Sequence, residues 1–103
     1  MKRVLVRYTV KPEALAENER LVQAVFAELA EKRPDGLRYA TSKQRDGFTF
    51  VHIATVSTLD GKNPLVALEA FKAFTSTIQE RCVEPPVTLE LEPIAAYGDP
   101  PFG

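Results

Sequence analysis

The chain has 103 residues, with 13 basic side chains against 14 acidic ones and 45% hydrophobic residues. That balance excludes a disordered chain and lacks the basic surface that a general nucleic-acid binder needs. No apolar run approaches the roughly 20 residues of a membrane span, and one cysteine, Cys82, allows no internal disulfide and no cysteine-rich metal site.

The two halves differ in charge: residues 1–51 carry a net +3 and residues 52–103 a net −4. Chance and solvation account for such a split. So do basic and acidic strands that meet within the chain or across a dimer. The opening MKRVLVRYTV is basic, but Arg7 interrupts its apolar run and no small-residue cleavage site follows. It reads as a strand rather than a signal peptide, and a cytoplasmic chain fits best.

Val4 to Val10 is β-branched and aromatic, as a first strand should be. Alternation puts Val4, Val6, Tyr8 and Val10 on one face and Arg3, Leu5, Arg7 and Thr9 on the other. Lys11-Pro12 ends it, since proline lacks a ladder donor. From Glu13 to Lys32 the period turns helical, with Leu15, Leu21, Val22, Val25, Phe26 and Leu29 in one stripe. Pro34-Asp35-Gly36 stops that helix.

Leu37 to Arg45 and Phe48 to Val56 read as a second and a third strand, joined by a two-residue Asp46-Gly47 turn with positive φ at both positions. Asn63-Pro64 supplies an N-cap and a first-turn proline. Leu65, Leu68, Phe71, Phe74 or Thr75, Ile78 and Cys82 then recur at steps of three and four, so one helix is expected up to Cys82. Glu84-Pro85-Pro86 breaks it. Val87, Leu89 and Leu91 alternate with Thr88, Glu90 and Glu92 in a last strand, which Pro93 assigns to an edge or a bulge.

The order β-α-β-β-α-β, with right-handed crossovers, predicts an α+β ferredoxin-like plait. Its antiparallel sheet has the order 4-1-3-2, with both helices on one face. One domain is expected over residues 1–97, followed by a tail at 98–103. The uncovered sheet face should carry Leu5, Val51 and Ile53, with Arg3, Arg7, Thr49, Thr55, Glu90 and Glu92 around them. Three large aliphatics on a bare face ask for a partner, and a homodimer is the expectation.

Several segments carry a family likeness. Val6-Arg7-Tyr8-Thr9-Val10-Lys11-Pro12-Glu13 before a long amphipathic helix is similar to the opening of antibiotic-biosynthesis-monooxygenase-like proteins. The hairpin from Gly36-Leu37-Arg38-Tyr39 to Gly47-Phe48-Thr49-Phe50-Val51-His52-Ile53, and the helix with Leu68, Phe71 and Phe74, continue the resemblance to about residue 97. The resemblance implies a dimeric α+β barrel, with two sheets facing each other and a pocket between sheet and helices in each protomer. Enzymes of the family include cofactor-free oxygenases on phenolic polycyclic substrates and haem-degrading oxygenases. The Trp-Glu pair that often ends the family's third strand is Val56-Ser57 here. The asparagine used by the haem-degrading branch falls at Val6, and the second helix has no histidine. Haem degradation by that route is therefore not expected.

His52 is the only histidine. Alternation sets it with Phe48, Phe50, Ala54 and Val56, and the resemblance turns that face toward the helices. There a neutral imidazole could take a proton from a phenol or enol. The alternative is a half-buried histidine bonded to a loop. Tyr8 or Tyr39, on the same side, could orient a substrate oxygen or hold an oxyanion, and either could equally be a core ring. Val6, Phe50, Ala54, Phe71 and Phe74 complete the expected apolar pocket. Arg7, on the other face, either binds an anion or pairs with Glu90 at the dimer seam. Cys82 reads as a small buried hydrophobe. One histidine, one cysteine and no nucleotide-binding glycine loop lead to the expectation of no metal, flavin or haem. The leading function is a cofactor-independent monooxygenase-like or isomerase-like enzyme on a small aromatic or enolisable substrate. The rival is a non-catalytic dimeric protein, ligand-binding or stress-responsive.

Overall fold

Residues 1–98 are described by a computed structural model. Apart from Gly98, the expected tail at 98–103 lies outside the described residues. The elements in chain order are β1 (Lys2–Val10), α1 (Leu15–Lys32), β2 (Leu37–Lys43), β3 (Thr49–Val56), α2 (Glu69–Ser76), α3 (Ile78–Arg81) and β4 (Cys82–Leu91). Single 3-10 turns lie at Pro12–Ala14 and Pro64–Ala67. The four strands form one antiparallel sheet in the order β2-β3-β1-β4, the expected plait. Among the described residues no helix is long and apolar enough to cross a membrane.

Cross-strand partners share a face, so the register sorts the side chains. Val4, Val6 and Tyr8 stand opposite Ala54, His52 and Phe50. All of these but Val4 build the core, with Val10, Tyr39, Leu21, Val22 and Val25 of α1, Leu65, Leu68 and Phe74. The reverse face carries Leu5 opposite both Ile53 and Leu89, and Arg7 opposite both Val51 and Val87. Leu5, Val51 and Ile53 are half-buried there, while Val87 and Leu89 are about half exposed.

This register corrects one expectation. Glu90 pairs with Val4, on the helix side, so Arg7 faces Val87 and forms no cross-strand pair with Glu90. The expected strand began only at Val87, but β4 starts at Cys82 and runs through Pro85-Pro86 at the sheet edge. Register shifts between Arg7 and Val10 absorb the two missing donors. The alternating apolar residues Val87, Leu89 and Leu91 thus enlarge the bare face instead of the core.

Three local features also differ from expectation. The hairpin loop is longer than two residues: Gln44 N–H donates to Thr49 O, Gly47 N–H donates to Gln44 O, and only Gly47 has positive φ. Asp46 instead accepts from the Phe48 and Thr49 amides at 2.9 Å and from the Thr49 hydroxyl, an Asx-type closure. The single helix expected after Asn63 is broken at Leu68, which is extended, and at Thr77. Glu28 of α1 fills the first break by accepting from the Ala70 and Glu69 amides, a cap supplied by another helix. Arg81 fills the second by donating to Phe74 O at 2.8 Å. Cys82 accordingly opens β4, opposite Val10, and does not end a helix.

Gly36 precedes β2 at φ +77°, and an added Cβ would lie 2.9 Å from Thr58 Cγ2 and 3.0 Å from the Thr58 backbone. Gly61 shares the left-handed φ, +74°, but faces open space. Gly61→Ala should cost about 1 kcal/mol from φ alone, and Gly36→Ala clearly more, read as a lower urea midpoint. Equal losses would mean that Thr58 makes room and the close approach carries no energy.

Candidate functional site

A cleft of about 260 Å³ opens between the sheet and the α2–α3 segment. Val4, Val6 and Ala54 form its floor. Leu65, Phe71, Phe74, Thr75 and Ile78 form the helical wall, with Pro86 and Thr88 of β4 at one side. Its other polar groups are Tyr39, His52 and Asn63. This is a mostly apolar, concave site with few polar atoms, the usual make-up of a small-molecule pocket. A wider open groove of about 550 Å³ runs between α1 and the edge strand β2, past Glu19, Phe26, Thr41 and Lys43. His52 does not line that groove, and Tyr39 lines both.

His52 is 4% exposed, and both of its ring nitrogens are engaged. Nε2 lies 2.8 Å from Tyr8 Oη. Nδ1 lies 2.7 Å from Tyr39 Oη and 2.9 Å from Thr41 Oγ1. The chain of contacts continues behind Tyr8. Asn18 of α1 donates through Nδ2 to Tyr8 Oη at 3.0 Å, and Arg81 Nε donates to Asn18 Oδ1 at 2.9 Å. Arg81 also donates to Thr77 Oγ1 at 2.6 Å and sits over the Phe74 ring, 5.1 Å from its centre. Asn18 is fully buried and Arg81 is 5% exposed. The rings of Tyr8, Tyr39 and Phe74 pack around His52 at 5.3–5.8 Å between centres, and Phe26 stacks on Tyr39 from α1.

The expected site residues therefore separate. His52, Tyr39, Val6, Ala54, Phe71 and Phe74 line the cleft. Tyr8 does not: it lies behind His52 at 1% exposure, as a link in the buried chain. Phe50 packs in the core and borders the α1–β2 groove. Asn18, Thr41 and Arg81 were not singled out from the sequence, and Asn63 was read only as an N-cap, a role it fills by accepting from the Leu65 amide at 3.0 Å. Asn18 carried a signal all the same, a polar residue three after Leu15 and four before Val22 on the apolar stripe of α1. Among the described residues no three His, Cys, Asp or Glu side chains are grouped so as to hold a metal ion.

Burial sets the protonation states. It pulls His52 down from 6.5 to about 4, so the imidazole is neutral at pH 7. It pushes Tyr39 up to about 12 and Tyr8 higher still, so both are un-ionised phenols. Arg81 is lowered by desolvation, yet a guanidinium stays charged in a protein.

The depressed His52 value has a consequence for stability. The unfolded chain takes up a proton below pH 6.5, whereas the folded chain resists it until about pH 4. Stability should fall as the pH drops through that window and level off below it, by on the order of 3 kcal/mol in full. Urea unfolding at pH 7 and pH 5 should show this loss in the native chain and lack it in His52→Gln. Identical pH slopes for the two proteins would mean that His52 is not buried neutral.

No protein-family model and no curated protein matches the chain by sequence. Solved structures do match it. A crystal structure of an antibiotic biosynthesis monooxygenase superposes with a TM-score of 0.75 at 19% identity, over 92% of this chain and 100% of that one. Rv0793 from Mycobacterium tuberculosis gives 0.76 at 17% identity, over 94% and 98% of the two chains. PA3566 from Pseudomonas aeruginosa gives 0.72 at 18%, over 91% and 94%. The chain thus has the ferredoxin-like α+β fold found in antibiotic biosynthesis monooxygenase-type proteins, along almost its whole length.

Proposed function

We propose that the chain is a cofactor-independent, monooxygenase-like enzyme whose cleft binds a small, flat, apolar molecule through a phenolic or enolic oxygen. The observation that carries this reading is the Tyr39–His52 pair, 2.7 Å apart, on the wall of an otherwise apolar cleft. Aromatic walls suit a flat ring system, and Tyr39 is the hydroxyl that would meet its oxygen. The anion of such a substrate is electron-rich enough to react with dioxygen itself. One electron passes to O₂, the two radicals join in a C–O bond, and the O–O bond then breaks. A CH₂ carbon becomes C=O, its two hydrogens leave with the second oxygen as water, and the substrate supplies all four electrons.

The first expectation of His52 as a free general base is replaced in this reading. Both of its nitrogens are engaged, so it orients Tyr39, and Tyr39 holds the oxyanion. The same observation favours a second reading, a binding protein that carries such a ligand unchanged, because no free base faces the cleft.

Two copies would pair through the bare sheet face, where Leu5, Val51, Ile53, Val87 and Leu89 form one apolar surface. Arg7 belongs to that face, and Glu90 does not.

With anthrone and related polycyclic phenols under oxygen, the native protein should form the quinone, and Tyr39→Phe should lower turnover at least tenfold with Tm little changed. Quantitative recovery of bound, unoxidised ligand would select the binding reading. Tight binding and unchanged turnover in Tyr39→Phe would remove Tyr39 from the site. For the assembly, sedimentation at micromolar concentration should give a dimer for the native chain and a monomer, or insoluble protein, for Val51→Lys. A native monomer would contradict the pairing.

A further inference from the structure

We propose that Arg81 and Asn18 are positioning residues that set the direction of every hydrogen bond leading to the cleft. Tyr39 is thereby left with a proton to give, and the cleft selects a phenolate, enolate or carbonyl oxygen over a neutral hydroxyl. The proposal rests on the reading that the cleft binds an oxygen-bearing ligand and names the form of that oxygen.

One group in this chain of contacts has only one role open to it. A guanidinium has donors and no acceptor, so the end of Asn18 that meets Arg81 Nε must be Oδ1. The other end is then Nδ2, which can only donate, and it donates to Tyr8 Oη. Tyr8 Oη has two side-chain partners, Asn18 Nδ2 and His52 Nε2. Asn18 Nδ2 cannot accept, so the Tyr8 proton goes to Nε2. The reverse arrangement would leave a buried hydroxyl proton without an acceptor, a costly state in a site 1% exposed.

A neutral imidazole that accepts at Nε2 carries its proton on Nδ1. The single Nδ1 proton is therefore shared between Tyr39 Oη and Thr41 Oγ1, at 2.7 and 2.9 Å. The Tyr39 oxygen is thus already an acceptor from within the protein; its own proton is held by the neutral Thr41 hydroxyl beside it until a stronger acceptor enters the cleft. A charged oxygen accepts more strongly than a neutral one.

Asn18→Asp tests the direction with almost no change of shape. A carboxylate at position 18 still accepts from Arg81 but cannot donate to Tyr8, so it takes the Tyr8 proton and turns the chain around. In ¹⁵N NMR of the native protein, His52 should show a bare Nε2 and a protonated Nδ1, and Asn18→Asp should protonate Nε2. With 4-nitrophenol as the probe, whose two forms differ in visible absorption, the native cleft should bind phenolate at least tenfold more tightly than phenol. That preference should disappear in Asn18→Asp. It should also disappear in Tyr39→Phe, where Nε2 stays bare. A protonated Nε2 in the native protein, or a variant whose Nε2 remains bare, overturns the proposal, as does a bound probe with no preference for its phenolate. Failure of the probe to bind, with the ring nitrogens as stated, overturns the selectivity together with the binding reading from which it follows.

Discussion

The hydrogen bond from the buried Arg81 guanidinium to Asn18 is the constraint around which the helical layer and the site are arranged. A charge in that position is costly unless its donors are used. Arg81 spends one donor on the Phe74 carbonyl, which the end of α2 leaves without a helical partner, and another on Thr77 at the break itself. The Phe74 ring offers its face to the same cation. The interruption between α2 and α3 and the burial of Arg81 are thus two sides of one arrangement. The break supplies the acceptors, and the cation makes the break tolerable inside the protein.

From Arg81 the order passes through three elements. Asn18 brings in α1, Tyr8 brings in the central strand β1, and His52 and Tyr39 bring in β3 and β2. Polar side chains in a small core carry a penalty that apolar packing would avoid, and a connected set escapes it only when each member has partners. Here no buried side-chain nitrogen or oxygen among the described residues is without one. The chain of contacts ends at the wall of the cleft that His52 and Tyr39 line. The reverse face of the same sheet is arranged differently. Polar pairs lie towards its ends, Arg3 with Thr55 and Thr9 with Thr49 and Asp46, and between them Leu5 stands in an aliphatic row with Ile53 and Leu89, beside Arg7 with Val51 and Val87.

Much of this was legible in the sequence, for reasons that particular residues show. Alternation along β1 and β3 gave the helix-side faces, because a sheet buried on one side imposes a period of two on Val4–Val10 and Phe48–Val56. Strand order followed from connection rules. The helical stripe from Leu65 to Cys82 misled, because a 3-10 turn, α2 and α3 all bury one face and leave the three- and four-residue spacing intact. What breaks them, Glu28 and Arg81 reaching in from distant positions, has no local signature. β4 went wrong for a related reason. Pro85-Pro86 reads as a terminator, but an edge strand tolerates missing donors and β4 runs through it. Alternation also assigns Val87, Leu89 and Leu91 to the core, whereas they pair with Arg7, Leu5 and Arg3 on the bare face, which leaves Glu90 on the face opposite Arg7. In the site, His52 and Tyr39 could be found from alternation. Arg81 and Asn18 could not be paired, since nothing in a sequence ties residues 63 positions apart except the fold.

A neutron structure of the unmodified protein at neutral pH would test the central claim most directly, because it shows hydrogen positions as deuterium. The account predicts a deuteron on His52 Nδ1, none on Nε2, the Tyr8 hydroxyl directed at Nε2, and the Asn18 amide directed at Tyr8. A deuteron on Nε2, alone or as part of an imidazolium, would contradict it and leave Arg81 as a helix-end partner with no hold on the cleft.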